Sequence, residues 1–318
     1  MADCYVGFDT SNYTTSAAAV TKSGEVLANL KAPLPVKQGE VGLRQSEAVF
    51  SHIRNLPGVI ERLSAVLAGH HVLGIGVSAK PRDAEDSYMP CFLSGVAAAT
   101  AFAAGCGAPL LRFSHQSGHI MAALASSGEA ARFLGRRFGA FHVSGGTTEM
   151  LSVMPRGNDF TVELAGGTAD LNAGQAIDRI GVALGLAFPC GPALERLARE
   201  NTQKIPTPVI SVREGVCNLS GLENKALALY RESGNAALTA AYVQCFIAKT
   251  LEKMAKWLRQ SDPELPILFA GGVMSNRAIA EKLRASLGNV AFAEPSFSAD
   301  NAAGIAYLCR AEMMNGEE

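Results

Sequence analysis

A chain of 318 residues with 48% hydrophobic and 18% charged residues is long enough for two lobes and can bury sizeable cores. Its formal net charge of −1 argues against a protein that grips nucleic acid by unaided electrostatics; a nucleic-acid substrate would need a local patch or partners. Seven cysteines without a C-x-x-C pair read as reduced thiols of a cytoplasmic protein, and the opening run into Tyr5-Val6-Gly7-Phe8 has no signal-peptide pattern.

In chain order, residues 5–20 predict strand, small-polar turn, strand, with further strand-like sequence at 26–30. A helix is expected over 46–68, with an apolar face of Val49, Phe50, Ile53, Leu56, Ile60, Leu63 and Leu67. A buried strand follows at 72–78. Residues 91–111 carry no charge and are long enough to span a bilayer. They are rich in Ala, Gly, Ser and Thr and contain Pro109, so the expectation is a buried helix followed by a strand, and no membrane. Residues 138–153 repeat the first hairpin, again with strand-like sequence behind it at 160–164. Two hairpins with Gly, Ser and Thr in their turns, roughly 130 residues apart, predict a duplicated α/β domain with an anion-binding cleft between its halves. Helices at 174–186, 236–258 and 301–313 and a strand at 267–270 complete an alternating α/β pattern.

Chemistry concentrates in a few places. His115 and His119 are four apart at a predicted helix start, a spacing that projects two imidazoles from one face toward a metal. Gln116 stands where a zinc peptidase needs glutamate as general base, so hydrolysis lacks its base. Two capping or hydrogen-bonded histidines without metal are the alternative. Three glycine loops, at 144–148, 188–192 and 271–277, each follow a regular element; the last opens a helix, as phosphate sites do. Asp178 lies mid-helix, either paired with Arg179 or a neighbouring turn, or free to bind a ribose or substrate hydroxyl. Asp300 is either the N-cap of the last helix or a third metal ligand. Spacing leaves both readings open.

These residues add up to a resemblance. Gly7-Phe8-Asp9-Thr10-Ser11, His115-x-x-x-His119, Val143-Ser144-Gly145-Gly146-Thr147-Thr148, Asp170 with Gly174 to Asp178, Pro189 to Pro192, Leu219-Ser220-Gly221-Leu222, Ala270-Gly271-Gly272 with Asn276, and Asp300-Asn301 occur in the order of the TsaD/Gcp family. These are the threonylcarbamoyl transferases of tRNA modification, once called glycoproteases. The chain resembles them nearly end to end. The resemblance implies the duplicated fold of the actin, sugar kinase and Hsp70 class, with a nucleotide and metal cleft between two lobes. The lobes are expected at 1–130 and 131–318, the last helix (300–313) packing back toward the first. His115, His119 and Asp300 are implied to hold one divalent ion, iron or zinc. His142, Val143, Ser144, Gly145, Gly146, Asp178, Gly191, Glu195 and Asn276 are implied to line the adenylate site. The implied reaction passes a threonylcarbamoyl group from threonylcarbamoyl-adenylate to N6 of adenosine 37 in tRNAs that read codons beginning with A. The implied partners are tRNA, a TsaB-like paralogue and a TsaE-like ATPase, with no DNA.

The chain also departs from the family pattern. Tyr13 and Thr14 replace an Asp-Glu pair, and Gln116-Ser117-Gly118 replaces Met-Glu-Gly between the histidines. Residues 80–86 replace a G-P-G-L segment; Leu171 and Gln175 stand where acidic residues are usual. The chain therefore reads as a divergent paralogue. Two further readings stay open: a carbamoyl transferase with another acceptor, and a catalytically weak nucleotide-binding scaffold.

Overall fold

The computed structural model describes residues 2–11, 13–35, 43–297 and 300–315. In chain order the elements are β1 (Ala2–Ser11), β2 (Thr14–Thr21), β3 (Val26–Pro33), α1 (Gln45–Leu67), β4 (His70–Lys80), α2 (Phe92–Cys106), β5 (Leu110–Ser114), α3 (His115–Ser127), β6 (Phe138–Val143), β7 (Thr148–Arg156) and β8 (Asp159–Thr168). They continue with α4 (Ala173–Ala183), α5 (Gly191–Arg199), β9 (Ser211–Arg213), β10 (Val216–Asn218), α6 (Ser220–Ser233), α7 (Ala236–Leu258), β11 (Ile267–Ala270), α8 (Arg277–Leu287), β12 (Val290–Phe292) and α9 (Ala303–Asn315). Among the described residues no helix is long and apolar enough to cross a membrane. Two compact units form: residues 1–128 with 155–161 and 296–318, and residues 129–154 with 162–295.

The first unit is built on a sheet of order β3-β2-β1-β4-β5, antiparallel through β1, β2 and β3 and parallel through β1, β4 and β5. Side chains alternate across it. Val6 and Phe8 join Val59 and Leu63 of α1 and Ala99 and Ala103 of α2 in one core, so these helices cover that face. Gly7 points the other way, onto α9, where a Cβ would come within 2.6 Å of Ala306 N. Only glycine lets α9 lie flat on β1. Asp9, two residues on, shares the α9 side.

Two expectations need correcting here. The buried stripe of α1 is Ala48, His52, Leu56, Val59, Leu63 and Leu67, and Phe50 and Ile53 face outward. The apolar spacing was satisfied by a stripe turned by part of a helical step, which periodicity alone does not distinguish. The chargeless helix α2 is likewise buried on one side only; Leu93, Ala97, Thr100, Ala101 and Ala104 are exposed.

The second unit carries a sheet of order β12-β11-β6-β7-β8-β10-β9. Stacked rings of Phe141, Phe269 and Phe292, with centroids 4.8 and 5.1 Å apart, run across β6, β11 and β12. Helix α7 is buried along most of its length and packs with α5, α6 and α8. The sequence reading missed β9, β10 and α6, whose short or weakly patterned segments carry little periodic signal. It also missed their anchor. Asp170 accepts hydrogen bonds from the backbone N–H of Leu219 (2.7 Å) and Ser220 (3.2 Å) and from Ser220 Oγ (2.5 Å) at the start of α6. Desolvation pushes its carboxyl up, but the Ser220 hydroxyl and the N–H groups of Leu219, Leu171 and Ser220 outweigh this and hold it far below the usual carboxylate range. Asp170→Asn is expected to cost about 1 kcal/mol at neutral pH, as for a lost helix cap on an exposed site. The anchor is present above the unfolded carboxyl's pKa of about 3.9 and is lost as pH falls through the depressed folded value. The gap between wild type and variant in urea midpoints should therefore close below about pH 4; a gap that stays constant to pH 2 would refute the anchor.

Candidate active site

Strand β5 ends at Ser114, whose Oγ accepts from Ser117 N at 3.1 Å and so starts α3 with His115 as its first residue. His115 and His119 then stand one turn apart with their Nε2 atoms 2.9 Å from each other. Asp300 Oδ1 lies 3.3 Å from His119 Nε2 and 3.9 Å from His115 Nε2. One ligand atom from each of the three falls within 4.8 Å of the others. At the start of α9 Asn301 Oδ1 accepts from Ala303 N at 3.1 Å.

The close approach of α3 and α9 brings these residues together. Gly118 sits between the histidines, and a Cβ there would meet Ile305 Cδ1 at 2.8 Å. Across from it, a Cβ on Gly304 would fall inside the backbone of Gly118. Two glycines at one crossing let the helices touch main chain to main chain.

Asp9 was not singled out by the sequence reading, and it organises the site. It is 1% exposed at the end of β1. Its Oδ2 is 2.7 Å from His115 Nδ1, its Oδ1 accepts from Ser11 N at 2.9 Å, and Ser78 Oγ donates to Oδ2. Burial would raise the Asp9 carboxyl, but the His115 charge and the hydrogen bonds from His115 and Ser78 hold it down. Burial would lower His115; the Asp9 charge and hydrogen bond, with Asp300, raise it instead to about 9. Without a metal His115 is therefore the imidazolium at neutral pH; an ion that displaced the Nε2 proton would leave the Nδ1 proton held by Asp9 and the Nε2 lone pair directed at His119 and Asp300, the arrangement that orients a metal-binding imidazole. The sequence reading had Asp9 only inside the Gly7-to-Ser11 motif and in the small-polar turn of the first hairpin, with no role; β1 in fact continues through Ser11, so the carboxylate is buried in a strand and needs a buried partner.

The donor set fits a single first-row transition ion. Two imidazole nitrogens and one carboxylate oxygen are the ligand types such ions take. Bonds of about 2.1 Å at tetrahedral or octahedral angles would put donor atoms about 3.0–3.4 Å apart, close to the 2.9 and 3.3 Å spacings and shorter than the 3.9 Å one between His115 and Asp300. The 80–86 segment next to this site is a hydrogen-bonded turn: Lys80 Nζ meets Asp83 Oδ1 at 2.6 Å, and Pro81 O accepts from Gln116 N at 3.0 Å.

In the second unit a cavity of about 380 Å³ lies among the glycine loops. Of the nine residues expected at the adenylate, Gly145, Asp178, Gly191, Glu195 and Asn276 line it. His142, Val143, Ser144 and Gly146 are not on its wall. His142 and Val143 belong to the β6 ladder, and the Ser144 backbone closes its own loop with Thr147 and Gly174. Asp178 Oδ1 accepts from Cys190 N at 2.8 Å, tying α4 to the 188–192 turn. Glu195 Oε1 accepts from Arg199 Nη2 (2.6 Å) and Arg277 N (3.2 Å). Asn276 Oδ1 caps α8 through Ile279 N at 3.1 Å. The N-terminus of α8 thus opens beside the cavity, the polarity a phosphate prefers.

The family model described as TsaD, tRNA N6-adenosine threonylcarbamoyltransferase, matches residues 41–307. The chain belongs to the TsaD family. A tRNA N6-adenosine threonylcarbamoyltransferase of Thermus thermophilus is 33% identical over 95% of this chain and 90% of its own length. The activator of 2-hydroxyisocaproyl-CoA dehydratase from Clostridium difficile superposes with a TM-score of 0.54 at 11% identity, covering 99% of this chain and 97% of that one. A ROK family protein from Streptococcus pneumoniae gives 0.52 at 12% identity, covering 100% and 99%. The fold is thus the duplicated one of the actin, sugar kinase and Hsp70 class, and this TsaD-family chain is an enzyme, a transferase.

Proposed function

We propose that this chain transfers a threonylcarbamoyl group from threonylcarbamoyl-adenylate to N6 of adenosine 37 of tRNA, in the cytoplasm. The observation that carries the reading is the convergence of His115, His119 and Asp300, with Asp9 buttressing His115. A pure scaffold has no physical need of such a centre. Bound there, an iron or zinc ion supplies Lewis acidity toward a carbamoyl oxygen. Asp9 keeps the proton of His115 on Nδ1 and so keeps Nε2 available as a donor. The apolar wall of the 380 Å³ cavity, from Ile177, Pro189 and Val273, suits a purine, and the α8 N-terminus with the Gly145 and Gly272 loops suits its phosphate. In the balanced reaction the N6 nitrogen bonds to the carbamoyl carbon, the carbon–oxygen bond to phosphate breaks, AMP leaves and N6 loses a proton. With a net charge of −1, the chain meets its tRNA through a local patch or with TsaB-like and TsaE-like partners. All seven cysteines are free thiols, in keeping with a reducing compartment.

Incubation with tRNA, threonine, bicarbonate, ATP and the partner proteins, with iron or zinc present, is expected to yield modified adenosine in a nucleoside digest. No modified adenosine with either metal would leave the reading with another acceptor. His115→Ala is expected to lose the bound metal, and unchanged stoichiometry would remove the site itself.

A further inference from the structure

The tip of the β7–β8 hairpin, residues 155–161, belongs to the first unit. There it meets β5 and α9 around a cavity of about 370 Å³. Arg112 and Arg156 line this cavity, and among the described residues neither guanidinium has a hydrogen bond or an ion pair. Three carboxylates share the wall. Asp83 is paired with Lys80 Nζ at 2.6 Å. Asp159 Oδ1 accepts from Phe160 N at 2.7 Å, and Glu312 Oε2 accepts from Asn158 Nδ2 at 2.9 Å. That leaves two cations and two anions on one cavity, unpaired with each other. Arginine and carboxylate within reach of one another would close into a fork, so these groups are held apart. Leu111, Phe113 and Phe160 give the same cavity an apolar part.

We propose that this cavity binds a free α-amino acid with an apolar side chain. The ligand's carboxylate suits Arg112 and Arg156, whose planar forks match a carboxylate two hydrogen bonds at a time. Its ammonium suits the second oxygens of Asp159 and Glu312. The edge of the sheet adds main-chain partners. The order β3-β2-β1-β4-β5 leaves β5 at the border, and Ile75 N donates to Pro109 O at 3.0 Å. By the alternation of a parallel ladder, the N–H and C=O of Arg112 then point away from β4. A volume of about 370 Å³ is at the small end of ligand cavities, in keeping with a single amino acid. A phosphate dianion, by contrast, would meet Asp159 and Glu312 as like charges. None of the lining residues belongs to the metal centre, so binding here is separate from the transfer chemistry.

Melting of the full chain with about 10 mM L-leucine, L-methionine or L-phenylalanine tests this, since a ligand held only by the folded state raises Tm. At least one of the three is expected to raise it. Its carboxamide and its N-acetyl form, each lacking one of the two charges, are expected to leave Tm where it was. In equilibrium dialysis with the same radiolabelled amino acid, Arg112→Ala and, separately, Arg156→Ala should each weaken binding by about 10-fold or more. Both variants should melt as the wild type does without ligand and keep its metal content. The two arginines sit on different strands, so one misfolded variant would not carry the result. No shift with any of the three, or unchanged affinity in both variants, overturns the proposal. So does a carboxamide that binds as well as its parent, or inorganic phosphate that competes for the site.

Discussion

Asp9→Asn lowers the affinity for zinc by about 10- to 100-fold, read by competition with a chromophoric chelator at neutral pH. Three donors converge on this carboxylate: His115 Nδ1–H, Ser11 N–H and Ser78 O–H. An ionised carboxylate accepts from all of them. An amide offers one oxygen and one NH₂, so whichever way it turns, a donor meets a donor. His115 then loses both the charge that makes its Nε2 a better ligand and the contact that fixes its ring. Threonylcarbamoyl transfer should fall with the metal and recover in part at saturating metal. Asp170→Asn, whose carboxylate serves α6, is the control and should leave affinity unchanged. If Asp9→Asn binds zinc as the wild type does, the buttress has no functional weight.

Gly304→Ala is the second large effect: about 2–4 kcal/mol of stability, a Tm lower by roughly 5–10 °C, and loss of bound metal. The added methyl would overlap the carbonyl of Gly118 and come 2.8 Å from Ala122 N, both main-chain atoms of α3. Main chain cannot rotate aside, so α9 has to back away and take the preceding Asp300 with it. By contrast a Cβ on Gly145 meets nothing within 4 Å, and Gly145→Ala should melt as the wild type does. A Gly304→Ala protein with normal melting and full metal content would show that the helix crossing does not set the ligand spacing.

How far the sequence foretold this molecule depends on the range of the signal. The segments Ala236–Leu258 and Ile267–Ala270 were legible to the residue, because long periodic or compact apolar runs between breakers are local signals. Both hairpins were legible for the same reason, as the antiparallel pairing of β1 with β2 and of β6 with β7 shows. The resemblance named His115, His119 and Asp300 together; local spacing gave only the first two, and their meeting with Asp300 needed the α3–α9 crossing. The roles of Asp9 and Ser78 were not legible because each belongs to a strand whose pairing decides what it faces. Phe50 and Ile53 misled because apolar residues outside the buried stripe of α1 share its period.

The crossing at Gly118 and Gly304 has a consequence for how the chain is held shut. His119 and Asp300 bracket roughly 180 residues, including all of the second unit, so an ion bound between them ties off a very long excursion. Such a clasp ought to secure the C-terminal helix more than any other element. Chelation should then loosen amide protons of Ile305 to Cys309 against deuterium first, well before the phenylalanine stack of the far sheet begins to exchange.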